Sequence, residues 1–194
     1  PLPIKGMFYR WHVDLCGPFT PSKEGYTYVM VAVEAYSKVL ELVPLRDKTA
    51  ESTAAAFIDT VLCRYGACAE VCSDRGAEWD AAFSEVLVNC MVNHRPTAAH
   101  HPQANGAAER SIQSVKRSIR KCAESAGTAK DWPKHLPWIR LGYNCSRQES
   151  TKLAPYTLLY GCGPTIPPAI KERLEEPMDF DDAEAAAHEL LHRQ

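Results

Sequence analysis

The spacing of apolar residues changes period once, near Thr49, and that change restricts the fold more than any other feature of this 194-residue chain. Before it lie three runs, 8–16, 26–34 and 38–45, rich in Val, Leu and Tyr. Gly17-Pro18, Gly25 and Ser37 bound them, which is the punctuation of β-strands. Their short connections predict an antiparallel meander. From Thr49, a helix-capping residue, the apolar positions Ala54, Phe57, Ile58, Val61, Leu62 and Tyr65 share one helical face until Gly66. A short strand is expected at 69–73, a helix near 80–89 and a strand near 91–97. Strand, helix, strand, helix, strand grafts a parallel portion onto the meander, an α/β fold.

The stretch 98–106 (AAHHPQANG) has no periodicity and reads as a loop, with Asn105 the expected N-cap of a long helix from Gly106. Ile112, Val115, Ile119 and Cys122 would form the buried stripe of that helix. A second amphipathic helix is expected over about 132–144, with Leu136, Ile139 and Tyr143 inward. Beyond Pro155 the chain reads as irregular and proline-bearing, and 181–192 as an acidic helix or tail. The expected division is a core over 1–168 and an acidic tail or linker helix over 169–194.

Composition narrows the function classes. An apolar share of 45% and a charged share of 24% are those of a soluble globular domain. No apolar run approaches the ~20 residues of a membrane span, so no membrane partner is expected. The opening residues Pro1-Leu2-Pro3-Ile4-Lys5-Gly6 carry neither an initiator Met nor a signal-like stretch, and read as part of something longer, working in the cytosol or nucleus. Eight cysteines contain no C-x-x-C pair, which favours buried free thiols in a reducing compartment. A zinc deaminase is excluded for want of H-x-E with C-x-x-C, and a P-loop NTPase for want of G-x-x-x-x-G-K. The net charge of −2 hides an uneven distribution: −4 over 1–94, +7 over 95–152 and −5 over 153–194. A basic middle segment is the local footprint expected of a nucleic-acid surface.

Three carboxylates stand out. Asp14 lies inside a strand, where Asp is disfavoured and a buried unpaired carboxylate is costly. Asp74 ends the next core strand, and Glu109 opens the long helix. Each has a plain structural explanation: an outward-facing strand residue, a turn aspartate, and a glutamate favoured by the helix dipole. Together they would converge at the carboxyl edge of the sheet, where functional groups of open α/β folds gather. Mutual repulsion there calls for a divalent cation, and oxygen-only donors point to Mg²⁺ or Mn²⁺.

The order Asp14, Asp74, Glu109, with 59 and then 34 residues between them, resembles the D,D,E pattern of retroviral-type integrases, closest to those of gypsy-type LTR retrotransposons. Three further matches carry the resemblance: Ser73-Asp74-Arg75-Gly76; His101-Pro102-Gln103 through Gly106 to Glu109-Arg110; and Leu153-Ala154-Pro155-Tyr156 with Leu159-Tyr160-Gly161 and Pro164. The departures are a second interval about one residue short, Glu34 where related elements more often have Asp, and Ala77-Glu78-Trp79 in place of Thr-Gln-Phe.

The resemblance implies a ribonuclease H-like fold, a five-stranded mixed sheet flanked by helices. It implies two Mg²⁺ (or Mn²⁺) ions with substrate, Asp14 bridging them and Asp74 and Glu109 each holding one. The activity implied is 3′-end processing of element DNA followed by strand transfer into target DNA, both in-line phosphoryl transfers. DNA, as element ends and target duplex, is the implied partner, with a homo-oligomer as the working form and the nucleus, after cytoplasmic passage, as the place. The loop at 100–106 would touch DNA through Gln103 and Asn105, with His101 a surface loop residue. Gln113, Lys116 and Arg120 follow Glu109 by four, seven and eleven residues, on one helical face suited to phosphates. Two alternatives remain: a nuclease of the same fold, and a domesticated, non-catalytic nucleic-acid-binding descendant of an integrase.

Overall fold

The computed structural model describes residues 6–73, 81–96, 102–124 and 130–165, with the backbone alone at 81–82, 95–96 and 102–111. Strands β1 (Arg10–Cys16), β2 (Tyr28–Glu34) and β3 (Leu40–Leu45) form the expected meander, β1–β2 and β2–β3 both antiparallel. Helix α1 (Ala50–Phe57) starts at Thr49, whose hydroxyl accepts from the Ser52 N–H. It passes through a π-helical stretch (Ile58–Leu62) into a last turn, α2 (Cys63–Tyr65). The π stretch rotates the apolar face, so Thr60 and Val61 are buried while Ile58 and Leu62 are only half-buried.

Strands β4 (Glu70–Ser73) and β5 (Asn93–Pro96), joined through α3 (Ala81–Asn89), add in parallel beyond β1. The order β3-β2-β1-β4-β5 makes β1 the middle strand of a five-stranded mixed sheet. The second half supplies α4 (Pro102–Glu124), a 3₁₀ turn (Trp132–His135), α5 (Leu136–Cys145) and α6 (Pro155–Tyr160).

Two expectations are corrected here. Helix α4 begins at Pro102 rather than Gly106, so Gln103 and Asn105 lie in its first turns and Asn105 is not its cap. Proline favours the first helical position, where its fixed φ suits the helix and its missing N–H would be unbonded anyway. Glu109 therefore lies two turns inside α4, beyond reach of the N-terminal dipole argument. The second correction has the same cause: Pro155 opens α6 instead of ending order, and Gly161, with φ +73, closes it in the left-handed conformation. Residues 166–194, which include the expected acidic tail, lie outside the described residues.

The sheet is covered on both faces. On one face Trp11, Val13, Met30 and Ala32 pack with Phe57, Val61, Phe83 and Leu87. On the other, Val29, Val31, Val33 and Leu40 pack with Ile112, Val115 and Ile119 of α4 and Leu136, Ile139 and Tyr143 of α5. Burial on both sides explains why β2 reads as an unbroken apolar run. In β1 the residues alternate, and His12, Asp14 and Cys16 share the face toward α4. At the outer edge, Asn144 clamps β3: its Oδ1 accepts from the Leu40 N–H at 2.9 Å and its Nδ2 donates to the Leu40 carbonyl at 3.0 Å. Two edge groups that could template another strand are thereby closed.

Glu34 ends β2 fully buried, its Oε2 accepting from the Tyr36 N–H, the Ser37 N–H and the Ser37 hydroxyl. The carboxylate thus organises the β2–β3 turn. Gly17, with φ +139, follows β1 directly, and a Cβ there would lie 2.7 Å from the Thr27 carbonyl oxygen. Only glycine fits that close approach.

His12 gives the fold a pH dependence. Burial, aided by Lys38 and Arg10, lowers its pKa to about 4 from 6.5. A base with a depressed folded pKa stays neutral in the native state while the unfolded chain takes up a proton. Stability is therefore expected to fall as pH drops from 6.5 toward 4, by about 1.4 kcal/mol per unit and about 3 kcal/mol in all. Urea unfolding of wild type and His12→Gln across that range checks this. An identical slope in both proteins would acquit His12.

Candidate metal and nucleic-acid site

Asp14 sits four residues into the middle strand, opposite Val31 of β2 and on the face covered by α4. Its side chain keeps 25% exposure, so the carboxylate opens to solvent at the rim of a buried strand. Oδ1 accepts from the Leu15 N–H at 2.7 Å, and Oδ2 receives the Lys116 ammonium at 2.5 Å. Lys116 is itself only 13% exposed, because α4 packs its flanking residues Val115 and Ile119 into the core. Among the expected phosphate-facing residues, Lys116 is thus brought onto Asp14 instead of lying on a solvated helix face.

Arg120, one turn further along α4, is exposed, and its charge acts on the nearby Cys16 thiol. Burial pushes the Cys16 pKa up, while Lys116 and Arg120 pull against it and Asp14 adds to it. Two cations, a carboxylate and a thiol therefore meet at the end of β1. Gln113 is exposed on the same helix. Asp74 lies outside the described residues, and Glu109, Gln103 and Asn105 are described by backbone alone. Glu109 precedes Lys116 by seven residues, two helical turns, and side chains lean toward a helix N-terminus. Glu109 and Lys116 therefore lie on one face of α4.

Two polar constellations escaped sequence reasoning. His94 of β5 stands between two serines, its Nε2 2.8 Å from the Ser73 hydroxyl and its Nδ1 3.1 Å from that of Ser84. This bridge ties the end of β4 to β5 and α3 one residue before Asp74. Nothing local marks His94, since its partners come from separate elements. The other is Glu41 of β3, buried, which accepts from Arg64 at 2.9 Å, Tyr65 at 2.7 Å and Arg140 at 2.6 Å. It floors a cavity of about 600 Å³ walled by Trp138, Leu141, Tyr156 and Tyr160. Burial together with Glu41 raises the Tyr65 pKa, and Glu41 raises that of Arg64.

Residues 5–102 match the family model described as the integrase core domain. The chain is 29% identical over 162 residues to the Gag-Pol polyprotein of avian reticuloendotheliosis virus, covering 83% of this chain and 14% of that protein. It is 26% identical over 161 residues to the retrovirus-related Pol polyprotein from transposon 412 of Drosophila melanogaster, covering 82% and 13%. The chain thus spans about a seventh of the curated relatives it matches. Among solved structures it resembles the catalytic core domain of BIV integrase, with a TM-score of 0.58 at 19% identity over 77% of this chain and 92% of that one. It also resembles the HTLV-2 integrase catalytic core domain in complex with magnesium (trimeric form), with a TM-score of 0.55 at 16% identity over 77% and 94%. These likenesses carry the fold, a ribonuclease H-like sheet. The family model spans half of the chain, from before β1 to the start of α4. The sheet with Asp14 at its centre is that of an integrase core, and the chain belongs to the integrase core domain family.

Proposed function

We propose that this domain performs Mg²⁺- or Mn²⁺-dependent 3′-end processing and strand transfer of retroelement DNA, with Asp14, Asp74 and Glu109 as its metal ligands. The observation that carries this reading is Asp14 itself: a part-exposed carboxylate on the middle strand that already holds a cation, the Lys116 ammonium, against Oδ2. A site that holds an ammonium there has the oxygen donor and the negative potential that a hard divalent cation needs.

The strand register supports the second ligand. Arg10, Trp11 and His12 of β1 align with Glu70, Val71 and Cys72 of β4. In sequence, Asp74 directly follows Ser73, the last residue of β4. Glu109 shares the helical face of Lys116, which supports the third. Bound there, two Mg²⁺ ions would neutralise the charge that develops on phosphate oxygens during in-line displacement. The chain's own residues supply the rest. Lys116, Arg120 and Gln113 hold phosphates along α4, Gln103 and Asn105 approach DNA from its first turns, and β1 fixes Asp14. Element ends and a target duplex are the substrates, copies of this chain are partners, and the nucleus is the place of action. The magnesium complex and trimeric form of the HTLV-2 core lend support to the metal and the assembly.

The test is strand transfer by residues 1–194 on a preassembled branched DNA, in Mn²⁺, in Mg²⁺ and in chelator. Metal-dependent joining products are expected. Duplex binding without products in either metal would sink the catalytic reading in favour of a non-catalytic, nucleic-acid-binding descendant.

A further inference from the structure

We infer that Lys116 is the resident counter-cation of Asp14, exchanged for divalent metal and then handed to a DNA phosphate, so that metal and DNA binding reinforce each other. This rests on the reading of Asp14 as a metal ligand. Both oxygens of Asp14 are engaged: Oδ1 by the Leu15 N–H at 2.7 Å and Oδ2 by Lys116 Nζ at 2.5 Å. A divalent ion at Oδ2 would meet the ammonium at close range, and like charges that near repel strongly. Nζ must therefore leave when the metal arrives. A lysine can do so, since its charge rides on a flexible four-carbon stem.

The released ammonium has a defined destination. Gln113 and Arg120 are exposed on either side of it along α4, on the face where phosphate would lie. Arg120 does not share the exchange, because it is exposed and the cation on Asp14 Oδ2 is the Lys116 ammonium. Without DNA, the displaced ammonium loses its partner and metal binding is correspondingly weak. With DNA, a phosphate replaces Asp14 as its partner. Coupling of this kind is reciprocal by linkage: each ligand tightens the other by the same factor.

The experiment measures the Mn²⁺ dissociation constant of residues 1–194 by electron paramagnetic resonance of free Mn²⁺, with and without a short duplex. The proteins are wild type, Lys116→Met, Lys116→Gln, Lys116→Arg, Arg120→Met and Asp14→Asn. Without DNA, the Met and Gln variants at position 116 are expected to bind Mn²⁺ about tenfold more tightly than wild type, within the usual range of site coupling. The tightening that duplex gives wild type is expected to shrink by a similar factor in both. Lys116→Arg keeps the charge and is expected to stay near wild type. Melting temperatures without metal establish that each variant is folded, and two neutral variants guard against the loss of one. If Asp14→Asn leaves wild-type Mn²⁺ affinity intact, the metal-site reading fails. If Asp14 is required but the neutral variants at 116 match wild type, the exchange is overturned while the metal site stands. Equal tightening in Arg120→Met also overturns it, since that would be a diffuse field effect.

Discussion

Asp14→Asn is expected to lower metal-dependent strand transfer by about 10³-fold or more while leaving the fold in place. The magnitude follows from charge: metal stabilisation of phosphoryl transfer is worth several kcal/mol, and each 1.36 kcal/mol is a factor of ten in rate. The fold should survive because asparagine is nearly isosteric and keeps the Oδ1 that accepts from the Leu15 N–H. It can also still accept from Lys116, though without charge attraction. The side chain sits at a solvent-open rim, so little buried surface changes. A second readout separates ligand loss from unfolding. A metal that binds the native state raises its stability by linkage, about 2.7 kcal/mol at a hundred times the dissociation constant. Thermal melts with and without Mn²⁺ should show that increment in wild type and lose most of it in the variant. Full activity in a folded variant would remove Asp14 from the chemistry.

What the sequence made legible follows from how local each signal is. The meander was readable because each run ends in a turn residue, and in the structure the strands differ from expectation only by a residue or two at their starts. The stripe Ile112, Val115, Ile119 was readable because helical spacing needs no partner to be seen. Both proline errors came from treating Pro as a breaker where its ring serves a first turn, at Pro102 and Pro155. Asp14 was recognisable as an anomaly, a carboxylate in an apolar strand. Its partner was not, because Lys116 lies 102 residues away and only the fold brings α4 across β1. The same holds for Glu41, whose arginine partners come from α2 and α5 on either side of the β3 edge. Local pattern gives elements and faces; long-range charge pairing has no local trace.

Arg10 and Glu70 are the extreme of that class, and breaking them should cost the most stability. They stand opposite one another in the parallel β1–β4 register, both side chains under a tenth exposed. Arg10 Nε and Nη2 both reach Glu70 Oε2, at 2.7 and 2.6 Å. Glu70→Ala is expected to destabilise the domain by about 3–5 kcal/mol, because a buried guanidinium loses its counter-charge. Arg10 also bears on His12, as does Lys38, and helps to lower its pKa. Against a typical stability of about 5–15 kcal/mol, that loss could leave the variant partly unfolded at 37 °C. The large figure measures an abandoned charge, not the worth of the pair. Desolvation of both ions nearly cancels their attraction, so replacing both with apolar residues of similar size should restore most of the loss. Urea unfolding of Glu70→Ala and of Arg10→Met/Glu70→Leu distinguishes the two quantities, with the double variant expected near wild type. A double variant as unstable as the single one would mean that the ion pair itself, and not the avoidance of a lone buried charge, holds β1 to β4. In that case the alignment of Asp14 beside the end of β4 would depend on electrostatics four residues away, and metal affinity should fall in both variants together.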